Sequence, residues 1–231
     1  MYVIFEGGEG TGKSSTMKAV AERLKYETLA PNPPICTSHP GSTHLGAHIR
    51  KLVKYPHQID PKIEMDPLSR QVLYMADTIN FIELLLKPSL ASDVPVFADR
   101  SSFISGLVYA TADNVDQTEI LRLMQIVDPP RADRVYVFDC PWEVSQSRVK
   151  SSKRSSETEG DHYDNETSDF HNNVNSIYSN LECYNPEFAM MISRVAALEN
   201  IIHVDASLPQ DQVINFIYND YINIAGCVKS Y

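Results

Sequence analysis

The stretch Gly7-Gly8-Glu9-Gly10-Thr11-Gly12-Lys13-Ser14 packs four glycines, a lysine and two hydroxyls into eight residues directly behind the apolar run Tyr2-Val3-Ile4-Phe5. It fits the pattern GxxxxGK(S/T) without a mismatch, and a segment with helical spacing follows it, which is the context the pattern needs. A loop of this composition turns backbone N–H groups toward phosphate oxygens, here those of Gly8, Gly10, Thr11 and Gly12, and the positive end of the following helix, at Ser14 and Ser15, adds to them. Lys13 is expected to reach the terminal phosphates and the Ser14 hydroxyl to coordinate Mg²⁺, so the ligand expected in the loop is the triphosphate of ATP.

Further along, "PVFADRSS" closes an apolar run with Asp99-Arg100. The carboxylate suits Mg²⁺ or its water, and the planar guanidinium suits a second phosphate group. Asp139, in "VYVFDC", is a rival metal ligand, with a helix cap before Pro141 as its alternative. The acceptor can be argued chemically. A sugar hydroxyl benefits from a carboxylate base, whereas a phosphate monoester, with a second pKa of about 6, is already mostly ionised at neutral pH. The run Thr37-Ser38-His39-Pro40 offers no carboxylate, while Arg50 and Arg100 are available, which favours transfer to a monophosphate.

These residues need elements to position them. Short apolar runs recur at Tyr2 to Phe5, Pro34 to Thr37, Val94 to Ala98, Arg134 to Phe138 and Ile201 to Val204, with helical spacing between them. That alternation predicts a five-stranded parallel sheet flanked by helices on both faces, an α/β fold of the P-loop NTPase type, whose ligands bind at the carboxyl ends of the strands. Helices are predicted over Gly12 to Tyr26, Thr43 to Lys54, about Asp66 to Leu86, Ser102 to Ala112, Thr118 to Val127, Pro141 to Val149, Tyr163 to Leu181, Pro186 to Leu198 and Leu208 to Asn219. Pro88, Pro129-Pro130 and Pro209 are expected at helix boundaries. The polar, serine-rich run from Lys150 to Asn165 is expected to be a flexible lid, and the length suits one domain over 1–231.

A net charge of −10 gives no electrostatic footprint for nucleic acid. Cys36, Cys140, Cys183 and Cys227 form no CxxC pair, so reduced thiols in a cytoplasmic protein are expected. No apolar stretch approaches a membrane span, and no membrane partner is expected.

Taken together, the motifs resemble the thymidylate kinase family of nucleoside monophosphate kinases. The family's FEGxEGxGKS is matched by "FEGGEGTGKSS", TREPGGTxLGxxIR by "TSHPGSTHLGAHIR", LLFAADR by "VLYMADT", and DRY with SSLAYQ by "DRSSFISGLVYA". LYLDVPxEVAxxR is echoed by "VYVFDCPWEVSQSR", DRxE…DF…V…Y by "DHYDNETSDFHNNVNSIY", and IDAS by "VDAS". The resemblance runs in order over essentially the whole chain. It implies that Glu9 meets the deoxyribose hydroxyl, Pro40 and Arg50 border the acceptor phosphate, and Tyr74 stacks on the base. Arg100, Ser105 and Tyr109 fall on the acceptor side, while Arg148, Ala206 and Ser207 border the ATP. The transition-state cation is expected from the lid, among Arg148, Lys150, Lys153 and Arg154, with Arg154 the choice.

The chain departs from the family pattern where the base is read. Thr78 replaces an arginine that would hydrogen-bond thymine, and Ala110 replaces the glutamine after the tyrosine. Ser38 and His39 replace the arginine and glutamate of TREP, His162 replaces a lid arginine, and one extra residue stands in "DRSSFISG". Thymidine monophosphate is the expected acceptor. The alternatives are a 5-substituted deoxyuridylate or another deoxynucleotide such as dGMP, a deoxynucleoside kinase, and an ATP-dependent switch protein. A homodimer is implied by the resemblance, with the stripe Leu68, Val72, Met75, Ile79 and Ile82 as its candidate face and burial within one subunit as the alternative.

Overall fold

The computed structural model describes residues 1–27, 32–128, 130–153, 163 and 167–228. Five strands, β1 (Tyr2–Gly7), β2 (Ile35–Ser38), β3 (Val96–Asp99), β4 (Arg134–Asp139) and β5 (Ile201–Asp205), pair in the order β2-β3-β1-β4-β5, every pair parallel. β1 lies at the centre, with Phe5 opposite both Asp99 and Tyr136. All six of its residues are buried. That two-sided burial is why the strand reads as an unbroken apolar run and not as an alternating one.

The two-residue period of the strands sorts the core. Val3, Phe5, Phe97, Tyr136 and Phe138 face α1 (Lys13–Tyr26) and the C-terminal helix Gln210–Val228, meeting Met17, Val20, Leu24, Val213 and Ile217. Tyr2, Ile4, Val96, Ala98, Val135 and Val137 face the opposite layer. In chain order the helices between are α2 (His44–Lys54), α3 (Pro56–Ile59), α4 (Pro67–Phe81), α5 (Lys87–Ala91), α6 (Ile104–Ala112), α7 (Gln117–Val127), α8 (Trp142–Lys153), α9 (Ser168–Ser179) and α10 (Pro186–Val195), and the C-terminal helix is α11. A small satellite cluster of Ile49, Val53 and Tyr74 joins α2 to α4.

Several boundaries differ from the sequence expectation. Pro88 does not end its helix: α4 runs through a π-turn at Ile82–Leu86, where Lys87 N–H bonds Ile82 C=O, directly into α5. A proline ring clashes with the carbonyl four residues back, and the wider turn relieves that clash without breaking the helix. α9 starts at Ser168, capped by Thr167, so Tyr163 precedes the helix. α8 extends to Lys153 and takes in the first residues assigned to the lid. Arg154, His162 and most of that segment, as well as Pro129, lie outside the described residues. The apolar stripe on α4 divides: Met75 and Ile82 are buried in the core, while Val72 and Ile79 are exposed.

Candidate active site

The phosphate loop leaves β1 at Gly7 and enters α1 at Lys13. Gly10 has a φ of 71°, and a β-carbon there would lie 2.4 Å from the Ser145 carbonyl of α8, so both conformation and space require glycine. Gly12 caps α1 without a side-chain hydrogen bond, which leaves the N-terminal N–H groups of the helix facing the cleft. The remaining hydroxyls stabilise the loop itself: Thr11 Oγ1 donates to Gly8 C=O at 3.1 Å and Ser15 Oγ to Gly12 C=O at 2.9 Å.

Lys13 is buried and its Nζ donates to Gly8 C=O at 2.9 Å. Burial, with the neighbouring Arg100 charge, lowers its pKa to about 8. Ser14 Oγ donates to Asp99 Oδ2 in a short hydrogen bond, while Asp99 Oδ1 is buried with no hydrogen-bond partner among the described residues. A hydroxyl and a carboxylate oxygen converging beside a phosphate loop are the hard donors Mg²⁺ selects, and the orphaned oxygen fits the same ion. Lys13, Ser14 and Asp99 share a cleft of about 750 Å³ with Glu9, Arg50 and Arg100.

Behind the loop, a second cleft of about 410 Å³ is bordered by Thr11, Gly12, Thr16, Arg148, Ala206 and Leu208. Arg148 Nη1 donates to Ala206 C=O at 2.7 Å, tying α8 to the turn after β5. Ser207 is not among the residues that border this cleft, and its N–H and Oγ both donate to Asp205 Oδ1, at 2.9 and 2.5 Å. Lys150 Nζ donates to Gln146 Oε1 along the exposed face of α8.

On the other side of the loop lies a pocket of about 450 Å³ whose wall includes Glu9, Pro40, Tyr74, Arg100, Ser105 and Tyr109. The structure therefore brings together six residues expected on the acceptor side. Arg50 stands in the adjoining phosphate cleft and donates from Nη1 to Pro40 C=O at 2.8 Å. Thr78 does not border this pocket. Its hydroxyl donates to Tyr74 C=O within α4, and it lines a neighbouring cavity of about 260 Å³. Ala110 is fully buried in the core.

Several contributors were missed. Glu6, completely buried at the end of β1, accepts from Ser101 N–H at 2.6 Å, Ser105 Oγ at 2.7 Å and Tyr178 OH at 2.9 Å. Desolvation pushes its pKa up, and Arg100 pulls it back down. Arg100, at φ 73°, donates to Tyr178 OH at 3.0 Å, Ser105 Oγ at 3.3 Å and Tyr109 OH at 3.4 Å. His39 and Lys54 border both the pocket and the phosphate cleft, and Tyr163 completes the pocket wall. His39 lies 3.6 Å from the buried Asp77, which also accepts from Gly41 N–H. A carboxylate inside an otherwise apolar strand was a legible signal for Glu6, and a histidine directly after β2 and a lysine one helical turn after Arg50 were weaker ones for His39 and Lys54. Tyr178 stands at the closing tyrosine of the DRxE…DF…V…Y motif, while Tyr163 carried no signal.

Asp139 is not arranged as a metal ligand. His203 Nδ1 lies 2.5 Å from its Oδ2, Ser179 Oγ donates to its Oδ1, and His203 Nε2 lies 3.0 Å from Glu182. Both oxygens are occupied by side chains that pin β5 and α9 to β4. Among the described residues no group of three or more His, Cys, Asp or Glu is placed to hold a metal, and no helix is long and apolar enough to cross a membrane.

Comparison with known proteins is in accord with this geometry. The family model described as thymidylate kinase matches residues 5–217. A thymidylate kinase of Halothermothrix orenii is 27% identical over 99% of this chain and 98% of its own length. One from Trichormus variabilis is 29% identical over 92% and 90%, and one from Campylobacter concisus is 30% identical over 65% and 71%. With a phosphate loop on β1, a Ser14–Asp99 pair beside it and an arginine-floored pocket across the cleft, the chain belongs to the thymidylate kinase family, nucleoside monophosphate kinases of the P-loop fold.

Proposed function

We propose that this protein transfers the γ-phosphoryl group of ATP to thymidine monophosphate, giving ADP and thymidine diphosphate. The observation that carries the reading is the adjacency of the two clefts. Glu9, His39, Lys54 and Arg100 border both the phosphate cleft and the nucleoside pocket, which supports a donor phosphate on Lys13 and an acceptor phosphate by Arg100 in adjoining sites.

A phosphate oxygen of the acceptor attacks the γ-phosphorus while the bond to the β–γ bridging oxygen breaks, and the electron pair leaves with ADP. The attacking oxygen carries no proton above its second pKa of about 6, so positioning and charge neutralisation replace a general base. Arg100 and Arg50 hold the acceptor phosphate, Lys13 the transferred group, and Glu9 the deoxyribose, with Tyr74 against the base. The backbone of Gly8, Gly10, Thr11 and Gly12, with Ser15 at the head of α1, cradles the triphosphate, and Arg148 and Ala206 border the adenosine. Ser14 and Asp99 are the residues to hold Mg²⁺, which when bound neutralises the β and γ oxygens. Arg154, in the segment after α8, is the proposed transition-state cation.

We also assign the chain one catalytic domain over 1–231, a cytoplasmic setting and no nucleic-acid partner. A homodimer is supported by the exposed Val72 and Ile79 on α4. The test is coupled ADP release with Mg-ATP against thymidine, deoxyuridine, deoxycytidine and deoxyguanosine monophosphates, with thymidine as the non-phosphate control. Turnover led by thymidine monophosphate is expected, and turnover with thymidine alone overturns the reading.

A further inference from the structure

The two positions that would read the base by resemblance contribute nothing polar to the pocket. Thr78 spends its hydroxyl on its own helix, and Ala110 is a buried methyl. A pocket that selects a base nonetheless needs donors and acceptors along the base edge, because discrimination comes from polar groups left unpaired by the wrong ligand. One such group lines the pocket, and a second lies directly behind its Gly106 wall. Gln71 is 0% exposed, and neither its Nε2 nor its Oε1 has a hydrogen-bond partner among the described residues. Ser102, on the pocket wall, has a buried Oγ in the same condition.

Their placement is specific. Gln71 precedes Tyr74 by three residues on α4, so the two side chains share a helix face, while Thr78 follows Tyr74 by four. Gln71 Oε1 lies 2.9 Å from the point where a β-carbon on Gly106 would sit, and Gly106 is itself part of the pocket wall. Glycine weakens a helix interior, so its presence within α6 calls for a packing reason. That reason is the approach of the Gln71 amide, which any larger residue at 106 would displace. An unpartnered amide inside a protein is costly unless something satisfies it.

From this geometry we propose that Gln71, assisted by Ser102, is the base-reading group of this enzyme, its amide pairing with the edge of a pyrimidine that carries N3–H between carbonyls. A carboxamide offers one donor and one acceptor side by side, the complement of an O4 acceptor beside an N3–H donor. The reading position has thus moved from one turn after the stacking tyrosine to one turn before it. This inference rests on the acceptor site proposed above.

The test compares thymidine monophosphate with its N3-methyl derivative, which keeps the stacking surface and loses the N3–H donor. Wild-type protein is expected to prefer the unmodified nucleotide by about 10- to 100-fold in kcat/KM. Gln71→Met is expected to erase that preference to within about twofold. KM for ATP should stay unchanged, and the melting temperature should not fall, since the variant removes an unsatisfied buried amide. Ser102→Ala, a smaller change, should narrow the preference. A full preference retained by both variants overturns the proposal, as does a wild type indifferent to N3 methylation. Absence of any transfer to thymidine monophosphate by the wild type is the distinct failure of the functional reading itself, and nucleotide-induced thermal shifts report base binding separately from turnover.

Discussion

Glu6 and Arg100 are joined through two shared hydroxyls: Ser105 Oγ and Tyr178 OH each lie within hydrogen-bonding distance of both the carboxylate and the guanidinium. A buried carboxylate and a guanidinium at the cleft are thereby linked through hydroxyls that donate to one and accept from the other. The linkage also holds Arg100 in a left-handed backbone conformation, which costs about 1–3 kcal/mol and persists only where surroundings enforce it. Strain maintained at the residue that floors the acceptor pocket fits a positioning role for Glu6 and Tyr178.

Tyr178→Phe removes one shared hydroxyl without changing shape. We expect kcat/KM for thymidine monophosphate to fall about 10-fold or more, consistent with a charged hydrogen bond worth about 1.5–3 kcal/mol. KM for ATP should move less than twofold. An equal loss for both substrates would indicate general disruption instead of acceptor positioning.

In the proposed mechanism Lys13 grips phosphate only when protonated, and burial beside Arg100 lowers its pKa to about 8 in the free protein. The direction follows: kcat/KM for ATP should be level below that pH and decline above it, approaching tenfold per pH unit. Bound triphosphate holds the proton on, so kcat at saturating ATP should stay level further into the alkaline range. A kcat/KM for ATP level to pH 9.5 would contradict the assignment.

His203 has its pKa raised to about 9, first by its hydrogen bond with Asp139 and then by Glu182, against the opposing effect of burial. A raised histidine stabilises the fold fully below its unfolded value near 6.5 and loses that contribution as pH rises through 9. After discounting for solvent, the effect is on the order of 1 kcal/mol, or about 2–4 °C for a chain of this size. Thermal denaturation of His203→Gln should therefore show a lower melting temperature at pH 6 and no difference from wild type at pH 10.

Lys54 borders both the phosphate cleft and the nucleoside pocket. Lys54→Met keeps its alkyl length and removes the charge, so KM for thymidine monophosphate should rise about 5- to 10-fold, with the loss shrinking at high salt. Steady-state kinetics at two ionic strengths would show it, and a change confined to kcat would rule it out.

The central sheet was legible because burial on both faces leaves no room for polar residues, so Tyr2–Phe5 and Arg134–Phe138 announced themselves. Lys13, Ser14 and Asp99 were legible because their chemistry depends on local order at strand ends. What escaped depended on distance in sequence. Tyr178 reaches Glu6 from the far side of the fold, and Tyr163 reaches Arg70 in the same way, at 3.4 Å. Pro88 was misread because the rule that proline ends a helix takes no account of a wider turn ahead of it. Thr78 was placed at the base by its position in a motif, but a hydroxyl that can bond the carbonyl four residues back has a nearer partner.

One strand serves both halves of the reaction. Glu6 anchors the acceptor side, and the very next residue, Gly7, opens the loop that wraps the donor. The footing of both sides of the cleft is thus set by adjacent residues of one fully buried strand. Differences between substrates then fall to the pocket walls contributed by other elements, while the central strand is common ground for donor and acceptor.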